Sequence, residues 1–352
     1  MISQKEQFLD TIGQRVDDLV NLDVPSRNAT SILYPLAREK MKRPLCMAAA
    51  SLLQAKVKRG DVVLIATGFT ERPSVSPAIG ETDGPPGAAA LARAIYRGLS
   101  AVPILLVEKQ FVPGMSMIMP GAGLLALPPD EAITAVRTTD DTPAAAVLDF
   151  PVDAEEAKER AKQLIGRYKP SAIIVIEKAG MNDRGVSHSM GGNPNTIIAK
   201  ADYLVLEAAK QGIPTIGVGD GGNEIGMGVI VQELRRSSIP NIAKCKCPCG
   251  GGIACATSTD VLVTACISNW GAYGIAACLA ARLQRPDVFH DASVEEAILQ
   301  ETARAGFIDG ESGYVTPLAV DGIPFDGNVA LVTMLSQVVS RGLRHMKKAG
   351  LP

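Results

Sequence analysis

Between residues 217 and 228 the chain reads G-V-G-D-G-G-N-E-I-G-M-G, which sets Asp220, Asn223 and Glu224 among six glycines. Two carboxylates and an amide carbonyl within five residues are hard oxygen donors of the kind that hold Mg²⁺, Mn²⁺ or Ca²⁺. Glycine lets the backbone approach a ligand closely and take up positive φ. The run also matches G-x-G-x-x-G, but a pyrophosphate there would meet Asp220 and Glu224, and no acid follows about 20 residues on to hold a ribose. Walker A is excluded because no Gly-Lys-Ser/Thr closes the loop. The plain alternative is a strand-to-helix turn in which Asp220 or Asn223 serves as an N-cap.

The elements that must position these groups follow from periodicity. Residues Val62 to Ala66, Val102 to Val107, Ala172 to Ile176, Thr215 to Val218 and Val261 to Ile267 are short apolar runs rich in β-branched residues, the pattern of buried strands. Helical stretches alternate with them, among them Ala88 to Arg97, Ala154 to Tyr168, Gly226 to Arg236 and Trp270 to Leu283. This alternation predicts an α/β fold, a mostly parallel sheet with helices on both faces. Ligands bind such sheets outside the carboxyl ends of the strands. Three loops there carry acids: Thr67 to Gly87 with Glu81, Thr82 and Asp83; Glu177 to Gly185 with Lys178, Asp183 and Arg184; and the loop of Asp220 and Glu224. Converging carboxylates repel, so such a cluster holds a divalent cation or keeps some members protonated. Each loop also has a plainer use. Glu81 to Asp83 would cap the Ala88 helix, and Glu177 with Lys178 would make a surface ion pair.

Composition narrows the partners. The 352 residues are 47% hydrophobic, enough for a large core, and the net charge of −2 argues against nucleic acid or an acidic membrane surface. No stretch of 18 apolar residues occurs, so no membrane span is expected. Residues 1 to 45 form a helical lead with Phe8, Leu9, Ile12, Val16, Leu19 and Val20 on one face; it has neither the cationic start nor the apolar core of a signal, and a cytoplasmic protein is expected. Residues 46 to 352 are read as one α/β domain, with 111 to 149 as an irregular insertion or junction rich in proline and glycine. With only three histidines an imidazole-rich zinc site is not expected. Of seven cysteines, Cys46, Cys266 and Cys278 read as small buried hydrophobes. Cys245, Cys247, Cys249 and Cys255 are denser than packing needs; a second metal site, a redox role and a reduced loop all stay open.

As an ordered set, T-G-F then E-T-D-G-P-P-G-A-A-A-L-A-R-A, I-E-K-A-G, G-V-G-D-G-G-N-E-I-G-M-G, S-N-W-G-A-Y and a late V-D-G resemble the D-glutamate cyclase family in its C-terminal domain. The resemblance runs from about Ala48 to beyond Asn328. Larger members carry a separate N-terminal domain ahead of this region, where a short helical lead is expected here. The resemblance implies an α/β lyase, a hydro-lyase closing D-glutamate to 5-oxo-D-proline with loss of water.

That chemistry needs a proton taken from nitrogen and charge neutralised on the carboxyl oxygens. We expect Glu177 to take the proton, with Lys178 and Asp183 as further catalytic groups. Glu81, Asp83, Asp220, Asn223 and Glu224 are the expected ligands of a Mg²⁺-, Mn²⁺- or Ca²⁺-type ion. Thr67, Gly68, Thr82, Arg184, Gly221, Gly222 and Asn269 are the expected substrate contacts. A metal-dependent phosphate-ester or nucleotide hydrolase and a non-catalytic metabolite or metal sensor remain alternatives. The partner expected is a small amino acid; association into a homo-oligomer is left open.

Overall fold

The computed structural model describes residues 3–138, 142–316 and 318–351. Among these residues seven strands form one all-parallel sheet: β1 (Val62–Ala66), β2 (Val102–Val107), β3 (Leu125–Ala126), β4 (Ala144–Asp149), β5 (Ala172–Ile176), β6 (Thr215–Gly219) and β7 (Val261–Thr264), in the order β3-β4-β2-β1-β5-β6-β7. Every residue of β1, β2, β5, β6 and β7 is buried, which an amphipathic one-sided sheet would not allow. The α/β expectation therefore holds. Helices cover the sheet in groups. One comprises α1 (Gln4–Val20), α3 (Leu45–Lys56), α4 (Pro85–Leu99), α10 (Ser268–Leu283), α11 (Ala292–Arg304) and α12 (Phe325–Lys348), packed round the almost wholly buried α10; another pairs α7 (Ala154–Tyr168) with α8 (Asp202–Lys210).

Residues 111 to 149 are more regular than their prolines suggest. They form α5 (Val112–Ile118), β3, α6 (Pro129–Arg137) and β4. Prolines there stand in first helical turns, where the missing N–H is no loss. At the other end of the glycine run the expected helix from Gly226 shrinks to a 3₁₀ turn and the four-residue α9 (Val231–Leu234). In the lead, α1 and α2 (Ala29–Met41) pack onto the sheet's helical layer. The fully buried Asp17 accepts from the backbone N–H groups of Leu45 (2.6 Å) and Cys46 (3.1 Å), capping α3 across the chain. No helix among the described residues is long and apolar enough to cross a membrane.

Chain order reverses between β1 and β5: β1 leads outward to β2, β4 and β3, whereas β5 leads the other way to β6 and β7. The loops leaving neighbouring strands diverge there and open a crevice.

Candidate active site

The crevice is a cavity of about 530 Å³, inside the range of small-molecule sites. Among the described residues its lining has six carboxylates, Glu71, Glu81, Glu177, Asp220, Glu311 and Asp321, against the guanidinium of Arg27. The loops meet through their backbones. Ile225 donates to the carbonyl of Lys178 (2.9 Å) and Gly180 to that of Asn223 (2.8 Å), bringing the loops after β5 and β6 together. Thr82 donates to the carbonyl of Ile308 (2.8 Å), which fixes the long loop after β1. Ligand atoms of Glu177, Asp220 and Glu224 lie within 4.8 Å of one another, as do those of Asp83, Asp220 and Asp321; Asp220 belongs to both groups.

The acids differ in how they are held. Both oxygens of Asp83 accept backbone N–H bonds at the start of α10, from Asn269 (2.8 Å) and Ser268 (2.8 Å), so it caps α10 and not the helix that follows it in sequence. Glu224 folds back on its own loop, accepting from the N–H groups of Gly221 (2.7 Å), Gly222 (2.8 Å) and Asp220 (3.2 Å). Glu177 accepts the Ser268 hydroxyl (2.6 Å) and has φ of +45°, a conformation uncommon for a non-glycine residue. Beside it Gly84 has φ of +99°, and a Cβ there would press within 2.7 Å of Thr67 Oγ1 and 3.0 Å of the Glu177 Cβ. Glu81 Oε1 and Asn223 Oδ1 are buried with no hydrogen-bond partner. Buried oxygens without partners are costly, and a bound cation or ammonium would satisfy them.

Electrostatics follow from burial. Desolvation first, then Glu224 and Asp83, push the Glu177 carboxyl well above the usual range. Desolvation, then Asp321 and Glu71, do the same to Glu81, and desolvation with Glu177 and Glu224 to Asp220. Asp83 is raised to about 7 by burial and Asp321, against the pull of its backbone bonds. Burial works against the charge on Arg27, but Asp321 and Asp220 outweigh it and hold the guanidinium protonated.

The remaining expected residues separate into those near the cavity and those outside it. Gly221 lines it, and Gly222, with φ of +105°, shapes the turn around Glu224. Thr67 is buried beside Gly84, its hydroxyl without a partner. Thr82 and Asn269 are structural ties: Thr82 Oγ1 donates to Ala319 O (2.8 Å), and Asn269 Oδ1 accepts from Gly84 (2.9 Å) and Gly87 (2.8 Å). Lys178 points away from Glu177 into the interior, where it donates to both oxygens of Glu108 (2.8 Å each) and to the Gly68 carbonyl. Asp183 and Arg184 are exposed; Asp183 pairs with Arg235 (3.1 Å), and both flank Gly251 in the cysteine loop.

Arg27, Asp321 and Ser268 were not assigned from the sequence. Arg27, in the link between α1 and α2, bonds Asp321 at 2.7 Å and approaches Asp220 at 3.6 Å, standing at the cavity mouth with its side chain about one-third exposed. Asp321 is the acid of the late V-D-G motif, so a local signal existed; Arg27 had none. The cysteine expectation needs correction. Cys245, Cys247 and Cys249 gather with His188, while Cys255 stands apart, accepting from the Thr257 N–H (3.3 Å). Cys255 follows Cys249 by six positions, and the loop carries it into the core.

Fold and cavity together define an α/β protein with a buried acidic site at a topological switch point. The chain belongs to the D-glutamate cyclase-like family: the family's profile, described as D-glutamate cyclase-like, C-terminal, matches residues 16–336. The chain is also 28% identical over 270 residues to the human protein named D-glutamate cyclase, mitochondrial, a match covering 76% of this chain and 38% of that protein. It thus spans well under half the length of this relative.

Proposed function

We propose that the chain is a lyase cyclising D-glutamate to 5-oxo-D-proline and water. The observation that carries this reading is the excess of acid over base in the cavity of a D-glutamate cyclase-like fold. A cavity with six carboxylates and one guanidinium attracts a cationic group and repels a free anion. An amino acid brings an α-ammonium for the acids and an α-carboxylate for Arg27, which takes the substrate-contact role expected of Arg184. A phosphate ester has no ammonium to offer.

Ring closure moves two protons from nitrogen to the departing γ-carboxyl oxygen, which leaves as water. No net proton is consumed, so a carboxyl that both accepts and returns protons suits the step. Glu177, raised by burial and held by Ser268, is our choice. Asp220, with Asp83, Asp321 and Glu224 around it and Asn223 Oδ1 and Glu81 Oε1 free beside it, would hold a Mg²⁺-, Mn²⁺- or Ca²⁺-type ion. Such an ion, when bound, supplies neutralisation of the γ-carboxyl oxygens. The cavity confines the substrate in a folded shape, and this orientation lowers the barrier of an intramolecular step. The seven cysteines, all present as free thiols, fit a reducing compartment, and we place the chain in the cytoplasm.

The test is mass spectrometry of D-glutamate incubated with protein and each divalent ion, with L-glutamate and phosphate esters in parallel. We expect 5-oxoproline above the protein-free control, and at least about a 10²-fold loss in Glu177→Gln. Phosphate release without 5-oxoproline would replace the cyclase by a hydrolase. Tight D-glutamate binding without turnover would make the chain a sensor.

A further inference from the structure

We propose that His188, Cys245, Cys247 and Cys249 form a structural zinc site that clamps one wall of the acidic cavity. Their geometry is that of a ligand shell. Cys245 Sγ lies 3.5 Å from Cys247 Sγ and 3.3 Å from Cys249 Sγ, and His188 Nε2 lies 3.3 Å from Cys247 Sγ and 3.6 Å from Cys249 Sγ. Zn–S bonds of about 2.3 Å and Zn–N bonds of about 2.0–2.1 Å give a tetrahedron with S···S edges of about 3.8 Å and S···N edges of about 3.5 Å. The four observed edges fall within about 0.5 Å of these. A disulfide, by contrast, needs about 2.05 Å, and all three cysteines are free.

The donor set selects the metal. Three thiolates and one imidazole form the Cys₃His set of closed structural zinc sites, and soft sulfur discriminates against the hard ions suited to the carboxylates nearby. A supporting donor is in place as well. Asn182 Nδ2 reaches Cys249 Sγ at 3.5 Å while also donating to Gly252 O at 2.7 Å, the type of outer contact that orients a metal-bound thiolate.

What the site would hold follows from the chain. His188 belongs to the loop after β5, whose next two residues, Ser189 and Met190, line the cavity. The cysteines end the segment whose residues Ser238, Ile239 and Pro240 line it too. The His188 carbonyl accepts from Asn223 Nδ2 (2.9 Å), whose Oδ1 is unpaired, so the imidazole and a cavity amide are linked through one residue. Residues 177–201 and 235–260 contain no helix or strand to supply a ladder of bonds of their own. A metal cross-link between segments about 60 residues apart restricts them as a disulfide would.

Elemental analysis of the full chain purified without chelator should find about one zinc per chain. Cys247→Ser and His188→Gln should each lose it, whereas Cys255→Ser should keep it. Should these variants fail to fold, the wild type still decides: cobalt exchanged into it should show the visible bands of a tetrahedral ion and the near-ultraviolet charge transfer of thiolate ligands. Stripping zinc with a mercurial reagent should release one ion and speed amide exchange at least tenfold in residues 186–195 and 239–255, leaving α10 unchanged. Zinc below a tenth of an ion per chain after growth and reconstitution with zinc would overturn the site. So would a disulfide among the three cysteines in protein kept under reductant. Zinc bound with unaltered exchange in both loops would overturn the clamp.

Discussion

Glu177 and Lys178 are neighbours in sequence and both buried, yet their surroundings are opposite. Lys178 enters the interior and is compensated by Glu108, which also accepts from the Ala199 N–H (2.8 Å). Glu177 faces the cavity among Asp83, Asp220 and Glu224, with Ser268 as its side-chain donor among the described residues. The interior pair holds loops in place and has its charges answered within the chain. The cavity acids outnumber the guanidinium near them, Arg27, and that difference separates a structural ion pair from a site awaiting a cation.

The largest expected effect breaks the compensated side. Lys178→Met or Glu108→Gln leaves one buried group without its partner and should cost about 3–5 kcal/mol in chemical denaturation. The double variant Glu108→Leu with Lys178→Met should cost less than either alone. Glu81→Gln, on the uncompensated side, should be neutral or stabilising without metal. Equal losses at Lys178 and Glu81 would erase the distinction.

A smaller effect is expected from pH. Burial and Asp321 push the Asp83 carboxyl up from its ordinary 3.8 to about 7. Its folded pKa is raised, so its contribution to stability is complete below about 3.8 and is lost as pH rises through about 7. The melting temperature of chelator-treated protein should therefore fall by several degrees between about pH 4 and 7, a saturating divalent ion should oppose the fall, and Asp83→Asn should flatten it. An unchanged slope in Asp83→Asn would place the titration elsewhere. The smallest effect belongs to the surface. Arg167 meets Asp130 at 2.7 Å with both side chains more than half exposed, and Arg167→Ala should leave the melting temperature unchanged within error.

Much of the fold was legible because buried parallel strands leave uninterrupted apolar runs; β1, β2 and β5 appear with their bounds intact. The short α9 was overread, since Gly226 to Arg236 has helical composition but Gly226 and Gly228 press against the 256–258 segment and Thr259, and no long helix forms. Region 111–149 was underread because proline punctuates helix starts as readily as loops.

For the site, local sequence supplied residue types and tertiary structure supplied partners. Glycines flanking Asp220, Asn223 and Glu224 mark a tight acidic loop by themselves, and strand periodicity places it at a carboxyl end. Nothing local distinguishes Glu177, which faces the cavity, from Lys178, which leaves it; that depends on the left-handed turn at Glu177 and on Glu108, 70 residues away. Arg27 meets Asp321 across 294 residues, and His188 meets Cys247 across 59. Periodicity records which face of an element is buried, a nearest-neighbour property. Charge neutralisation and metal geometry depend instead on which distant atoms come within a few ångströms, and only the packed chain decides that.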